Sequence, residues 1–62
     1  MILYLHSIYN GGNKYFSIDV WAEENQCFYP IPNYDNLDKN TKVADIYKIV
    51  EELGARKLIL DF

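Results

Sequence analysis

His6 and Asp19 are the pair in this chain whose types and spacing best suit chemistry. If the two apolar runs that contain them fold back over Asn10-Gly11-Gly12-Asn13, they lie diagonally across a strand pair, within reach of each other. A His–Asp pair can act as a base or help hold a metal. A single histidine without clustered cysteines falls short of a metal set, so the preferred reading is an amphipathic side chain among tyrosines. Cys27 is the sole cysteine, which rules out an internal disulfide and suits a reducing compartment. It lacks the glycine-rich elbow or helix N-terminus that lowers a thiol pKa, and reads as a small buried apolar residue. Asp35 and Asp38 hint at calcium, but Leu37 and Lys39 occupy would-be ligand positions and the sixth-position glycine is missing. That stretch reads as a solvated loop, with Tyr34, Asp35 and Asp38 as candidate contact residues. Gly11-Gly12 has no helix after it and cannot seat a phosphate on a helix dipole. The expectation is no catalytic set, no metal and no cofactor, and therefore not an enzyme.

The elements that must position these residues follow from periodicity. Ile2 to Ala22 reads as one β-hairpin. Two runs rich in Ile, Leu, Tyr, Phe, Val and Trp flank a turn whose glycines supply positive φ. With Gly11 and Gly12 at its centre, Tyr9 faces Lys14, Ser7 faces Phe16, Leu5 faces Ile18 and Leu3 faces Val20. Alternation then puts Leu3, Leu5, Ser7, Phe16, Ile18 and Val20 on one face. Ile2, Tyr4, His6, Ile8, Tyr15, Ser17, Asp19 and Trp21 fall on the other. Cys27-Phe28-Tyr29-Pro30-Ile31 reads as a third strand, with Trp21 facing Phe28, Ala22 facing Cys27, and Tyr29 beside Val20 on the core face. Pro30 and Pro32 make it an edge strand that ends early. Asn33 to Asn40 reads as the longest loop, with turn chemistry at Asn33-Tyr34-Asp35-Asn36. A helix follows, capped by Asn40 or Thr41, with Val43, Ile46, Ile49, Val50 and Leu53 on one stripe and Tyr47 at its margin. Asp45, Lys48, Glu51 and Glu52 fall opposite, and Gly54 suits the helix C-terminus. Leu58-Ile59-Leu60-Asp61-Phe62 reads as a final strand.

The order β-β-β-α-β predicts a single α+β domain over residues 1–62. Its sheet would be four-stranded and mostly antiparallel, in the order 3-2-1-4, with the last strand parallel to the first and one helix on one face. That helix would cover the Leu3/Leu5/Phe16/Ile18/Val20 face. The opposite face would keep Tyr4, His6, Ile8, Tyr15, Trp21 and Phe28 uncovered, an aromatic surplus that predicts a partner-binding or dimer face.

Composition bounds the rest. The chain has 62 residues, half of them hydrophobic and 16% aromatic, which argues against disorder and strains one small core. A net charge of −3 disfavours nucleic acid and leaves room for a basic protein partner. No run approaches a membrane span, and no basic leader precedes the first strand. Residues with AT-rich codons are plentiful and arginine appears once, which points to a bacterial or phage genome and to the cytoplasm of a bacterial host.

The element order resembles the opening half of ribonuclease-H-like folds, in which three antiparallel strands, a helix and a strand parallel to the first follow in turn. Such nucleases carry an aspartate on the first strand and a glutamate on the helix for magnesium. Here the first strand offers His6 and Ser7, and Glu51 and Glu52 come late and outward. Small antitoxins of the HicB type have a similar order, are often acidic dimers and cover basic toxin surfaces. The function expected is a small inhibitor or regulator that occupies a partner protein's surface, of the antitoxin or anti-defence kind. A degenerate ribonuclease-H-like fragment and a purely structural homo-oligomer are the alternatives.

Overall fold

A computed structural model describes residues 1–38 and 40–61; Lys39 and Phe62, named above as a would-be ligand position and as the end of the last strand, lie outside the described residues. The elements run β1 (Ile2–Asn10), β2 (Asn13–Ala22), β3 (Cys27–Pro30), β4 (Leu37–Asp38), α1 (Val43–Leu53) and β5 (Lys57–Asp61). The fold is α+β, with one mixed sheet and one helix.

The hairpin register is the one the glycines dictate. Leu3 pairs with Val20, Leu5 with Ile18, Ser7 with Phe16 and Tyr9 with Lys14. Gly11 and Gly12 have φ of 60° and 80°, the doubly positive pattern that matches the twist of two flanking strands. Trp21 pairs with Phe28 and Ala22 with Cys27, closing a four-residue loop whose last member, Gln26, has φ 52°. β5 lies parallel to β1, with Leu3 beside Leu58 and Leu5 beside Leu60. The main sheet order is β3-β2-β1-β5.

Two expectations about the middle of the chain need correction. The sheet has five strands rather than four, because the segment expected to be an open loop returns to β2 as β4, pairing Leu37 with Phe16 and Asp38 with Tyr15. Between β3 and β4 the chain makes a turn over Ile31-Pro32-Asn33-Tyr34, two residues earlier than Asn33–Asn36. The Tyr34 amide donates to the Ile31 carbonyl at 3.0 Å, and Asn33 takes φ 75°. Proline second and a left-handed residue third are the signature of a type II turn. Around it, Ile31 donates to the Ile18 carbonyl and Ile18 donates to the Tyr34 carbonyl. Residues 27–38 therefore behave as one interrupted edge strand along β2. Pro30 and Pro32 sit where no ladder donor is needed.

The helix starts one or two residues later than expected. Lys42, not Asn40 or Thr41, holds the N-cap position, in extended conformation and without a side-chain cap bond. Gly54 closes the helix with φ 71°, its amide donating to Glu51 and that of Ala55 to Val50. Such left-handed closures satisfy carbonyls that the helix end would otherwise strand. The core consists of Leu3, Leu5, Ile18 and Ile46, each at most 6% exposed, with Phe16, Val20, Ile31, Tyr34, Leu37, Ile49, Val50, Leu53, Ala55 and Leu58 packed around them. α1 thus covers the hairpin face predicted to receive it. Tyr29 pairs with Val20 on the helix-bearing face, as expected, and sits at its rim, 45% exposed. Among the described residues no helix is long and apolar enough to cross a membrane.

Candidate functional site

Among the described residues the face away from α1 carries no second layer, yet two of its polar residues are buried: Ser17 at 2% exposure and Asp19 at 7%. A carboxylate is seldom hidden unless its oxygens have partners. Here both do. Ser17 Oγ donates to Asp19 Oδ1 at 2.7 Å, and His6 Nε2 meets Asp19 Oδ2 at 3.0 Å. The cause is strand register. His6 and Ser17 are cross-strand partners, as are Tyr4 and Asp19, so alternation places all four on one face, with His6 diagonal to Asp19.

Aromatic rings roof this polar cluster. Tyr4 stacks on His6 with centroids 4.9 Å apart and planes 15° from parallel. Phe28 tilts against Tyr4 at 5.1 Å, and Trp21 against Phe28 at 5.0 Å. The result is a row of four rings, Trp21–Phe28–Tyr4–His6, with Trp21 on β2, Phe28 on β3, and Tyr4 and His6 on β1. Each neighbouring pair lies within the range where aromatic contacts add to simple burial. β5 closes the row with a charge. Asp61 pairs in register with His6, and its carboxylate accepts a hydrogen bond from the Tyr4 hydroxyl. That bond, then desolvation and the negative charges of Asp61 and Asp19, hold the Tyr4 phenol above the ordinary tyrosine range.

Of the six face residues expected from the sequence, Tyr4, His6, Trp21 and Phe28 come together in this row. Ile8 and Tyr15 pair with each other nearer the hairpin turn. Beside them, Asn13, Lys14, Tyr15 and Asp38 line an open recess of about 250 Å³, away from the rings. The other predicted group does not assemble. Tyr34 packs against the core, Asp35 is exposed, and Asp38 accepts the Asn40 amide at 2.8 Å within its own turn. Ser17 and Asp61 join the cluster although neither is among the expected site residues. Alternation alone places Ser17 beneath the rings, whereas Asp61 joins them only once β5 is set in register beside β1.

The chemistry of the cluster is restricted by its order. In a nucleophilic relay the serine hydroxyl bonds to histidine, and the carboxylate lies behind. Here Asp19 stands between Ser17 and His6, so the serine hydroxyl donates its hydrogen bond to the carboxylate instead of an imidazole. No group of three His, Cys, Asp or Glu able to hold a metal ion occurs among the described residues. Glu51 and Glu52 are exposed on α1, which packs on the opposite face from Asp19. The arrangement can present flat π-surfaces, bounded by a carboxylate, to an approaching molecule. No protein-family model matches the chain, and neither does any curated protein or solved structure.

Proposed function

We propose that this chain is a binding protein that inhibits or regulates another protein by covering a basic part of its surface with the Trp21–Phe28–Tyr4–His6 face. The observation that carries this reading is the row of rings ending at Asp61. Ring faces attract guanidinium and ammonium groups, arginine most of all, and a neighbouring carboxylate adds a charged hydrogen-bond acceptor. A net charge of −3 favours encounter with a basic surface at long range. Tyrosine and tryptophan supply much contact area with few rotatable bonds, which is why they dominate binding hot spots.

The test uses two measurements. Amide and ring NMR signals are followed while an arginine-rich peptide, and separately a glutamate-rich peptide of equal length, is titrated into the protein. Saturable shifts centred on Tyr4, His6, Trp21 and Phe28 with the basic peptide alone are the expected result. The variant Tyr4→Ala/Trp21→Ala, with its fold checked by circular dichroism, should lose both those shifts and capture of any partner from the source cells. Binding that persists in the double variant, or shifts centred on residues 33–38 instead, refutes this placement of the contact surface.

A further inference from the structure

Among the described residues the sheet ends on β5, which pairs with β1 and with no other strand. Its outer edge is a row of main-chain donors and acceptors of the kind that recruits another strand. Proteins blunt such edges with prolines, bulges or inward charges. β3, at the opposite edge, carries Pro30 and is followed by the Pro32 turn. β5 carries only apolar residues between Lys57 and Asp61. The two edges are thus treated differently by the same sequence.

The sequence of β5 reads Lys-Leu-Ile-Leu-Asp, and this order is complementary to itself when reversed. We propose that β5 pairs antiparallel with β5 of a second copy, about a twofold axis at Ile59. In that register Lys57 lies opposite Asp61 of the second copy, Leu58 opposite Leu60, and Ile59 opposite Ile59. Residues directly opposite in an antiparallel pair share a face. The two Lys–Asp pairs therefore form on the ring-bearing face and the two Leu–Leu pairs on the helix-bearing face. A twofold interface requires this kind of self-match: whatever residue i meets in its partner must meet i in return.

The surroundings of the edge agree. Leu60 is 53% exposed although it lies on the helix-bearing face of β5, and Val43 and Tyr47 are 63% and 58% exposed on α1. These two helical residues, four apart, form a stripe beside the buried one made by Ile46, Ile49, Val50 and Leu53. The right-handed crossover that such connections follow as a rule would turn that flank of the helix toward the β5 side of the layer. Three uncovered apolar side chains thus border one unpaired strand. Joining two copies there makes a continuous eight-strand path, β3-β2-β1-β5 followed by its mirror order, with the two helices side by side. It also sets both ring rows on one surface. The inference concerns the edge and stands independently of what the rings bind.

Charge reversal tests it. Sedimentation velocity from low micromolar to millimolar concentration should show a monomer–dimer equilibrium for the natural chain. Lys57→Asp alone and Asp61→Lys alone each place like charges opposite one another twice and should weaken dimerisation by about tenfold or more. The double variant Lys57→Asp/Asp61→Lys restores opposite charges in reversed order and should recover the dimer. Circular dichroism checks the fold of each. Lys57→Asp keeps the Tyr4–Asp61 hydrogen bond, so its effect does not arise from losing that contact. A natural chain that stays monomeric at millimolar concentration overturns the proposal. So does a dimer indifferent to both single reversals, a double variant that fails to recover, or a dimer abolished by Tyr4→Ala/Trp21→Ala but not by the reversals.

Discussion

Truncating Ile46 to alanine tests whether one helical side chain holds the two layers together. Ile46 is 6% exposed and is the only helical residue in the buried set with Leu3, Leu5 and Ile18. Isoleucine to alanine in a core costs about 2–5 kcal/mol, with the value set by how far the cavity can collapse. α1 lies at the surface with half-buried Ile49, Val50 and Leu53 around the site, so partial collapse places the expected loss at about 2–3 kcal/mol. A chain of 62 residues has a total stability of roughly 3–9 kcal/mol at typical values per residue. The variant should therefore lose a third to a half of a mid-range value, and its urea midpoint should fall in proportion while the slope stays constant. Trp21 fluorescence is a suitable probe, because Trp21 sits against Phe28 on the opposite face and reports global unfolding instead of a local gap. The control is Tyr47→Ala, one residue further on and 58% exposed, measured at low micromolar concentration. It should change stability by no more than about 0.5 kcal/mol. Equal losses in the two variants, or an unchanged midpoint for Ile46→Ala, would refute the claim that this stripe of α1 is seated on the hairpin.

Two further perturbations probe the polar groups on each face. Ser7 Oγ is buried on the core side with no hydrogen-bond partner among the described residues, so Ser7→Ala should raise stability by about 1 kcal/mol, read from thermal or urea unfolding; a loss would mean the hydroxyl has a partner. On the other face, the Tyr4 phenol titrates above its ordinary 10.0, chiefly through its bond to Asp61. A folded-state pKa raised in this way contributes stability that is fully present below pH 10.0 and is lost as pH rises through the folded value. Denaturant midpoints should accordingly decline above pH 10.0 in the natural chain and decline less steeply in Tyr4→Phe, which has no phenol to ionise. Tyr29 is also raised, chiefly through its contact with Cys27, so phenolate absorbance should show two late-ionising tyrosines in the natural chain and one in Tyr4→Phe; equal late components in both proteins would remove the Asp61 bond from the account.

Local rules settled a large part of this molecule. Two glycines that accept positive φ set the hairpin register, and a period of two then sorted Leu3, Leu5 and Ile18 from Tyr4, His6 and Trp21. A period of 3.6 and Gly54 set the helix, its inner stripe and its end. These properties depend on residues adjacent in the chain or joined by a tight turn, so spacing alone determines them. Tertiary structure decided what depended on contacts between distant segments. The edge strand resumes after Asn33 because Ile18 still had an amide and a carbonyl to satisfy, and Ile31 and Tyr34 meet both. Lys42 heads the helix because the return of β4 to β2 uses the chain up to Asp38, whose carboxylate accepts the Asn40 amide and whose carbonyl accepts that of Thr41. Tyr34 turned inward with that segment and left the loop without the aromatic member of its expected contact residues. Asp61 reached Tyr4 from 57 positions away, a distance at which no periodicity carries information. Backbone hydrogen bonds and buried carboxylates must find partners wherever the fold brings them, and those obligations are met in space, between segments that the linear order keeps apart.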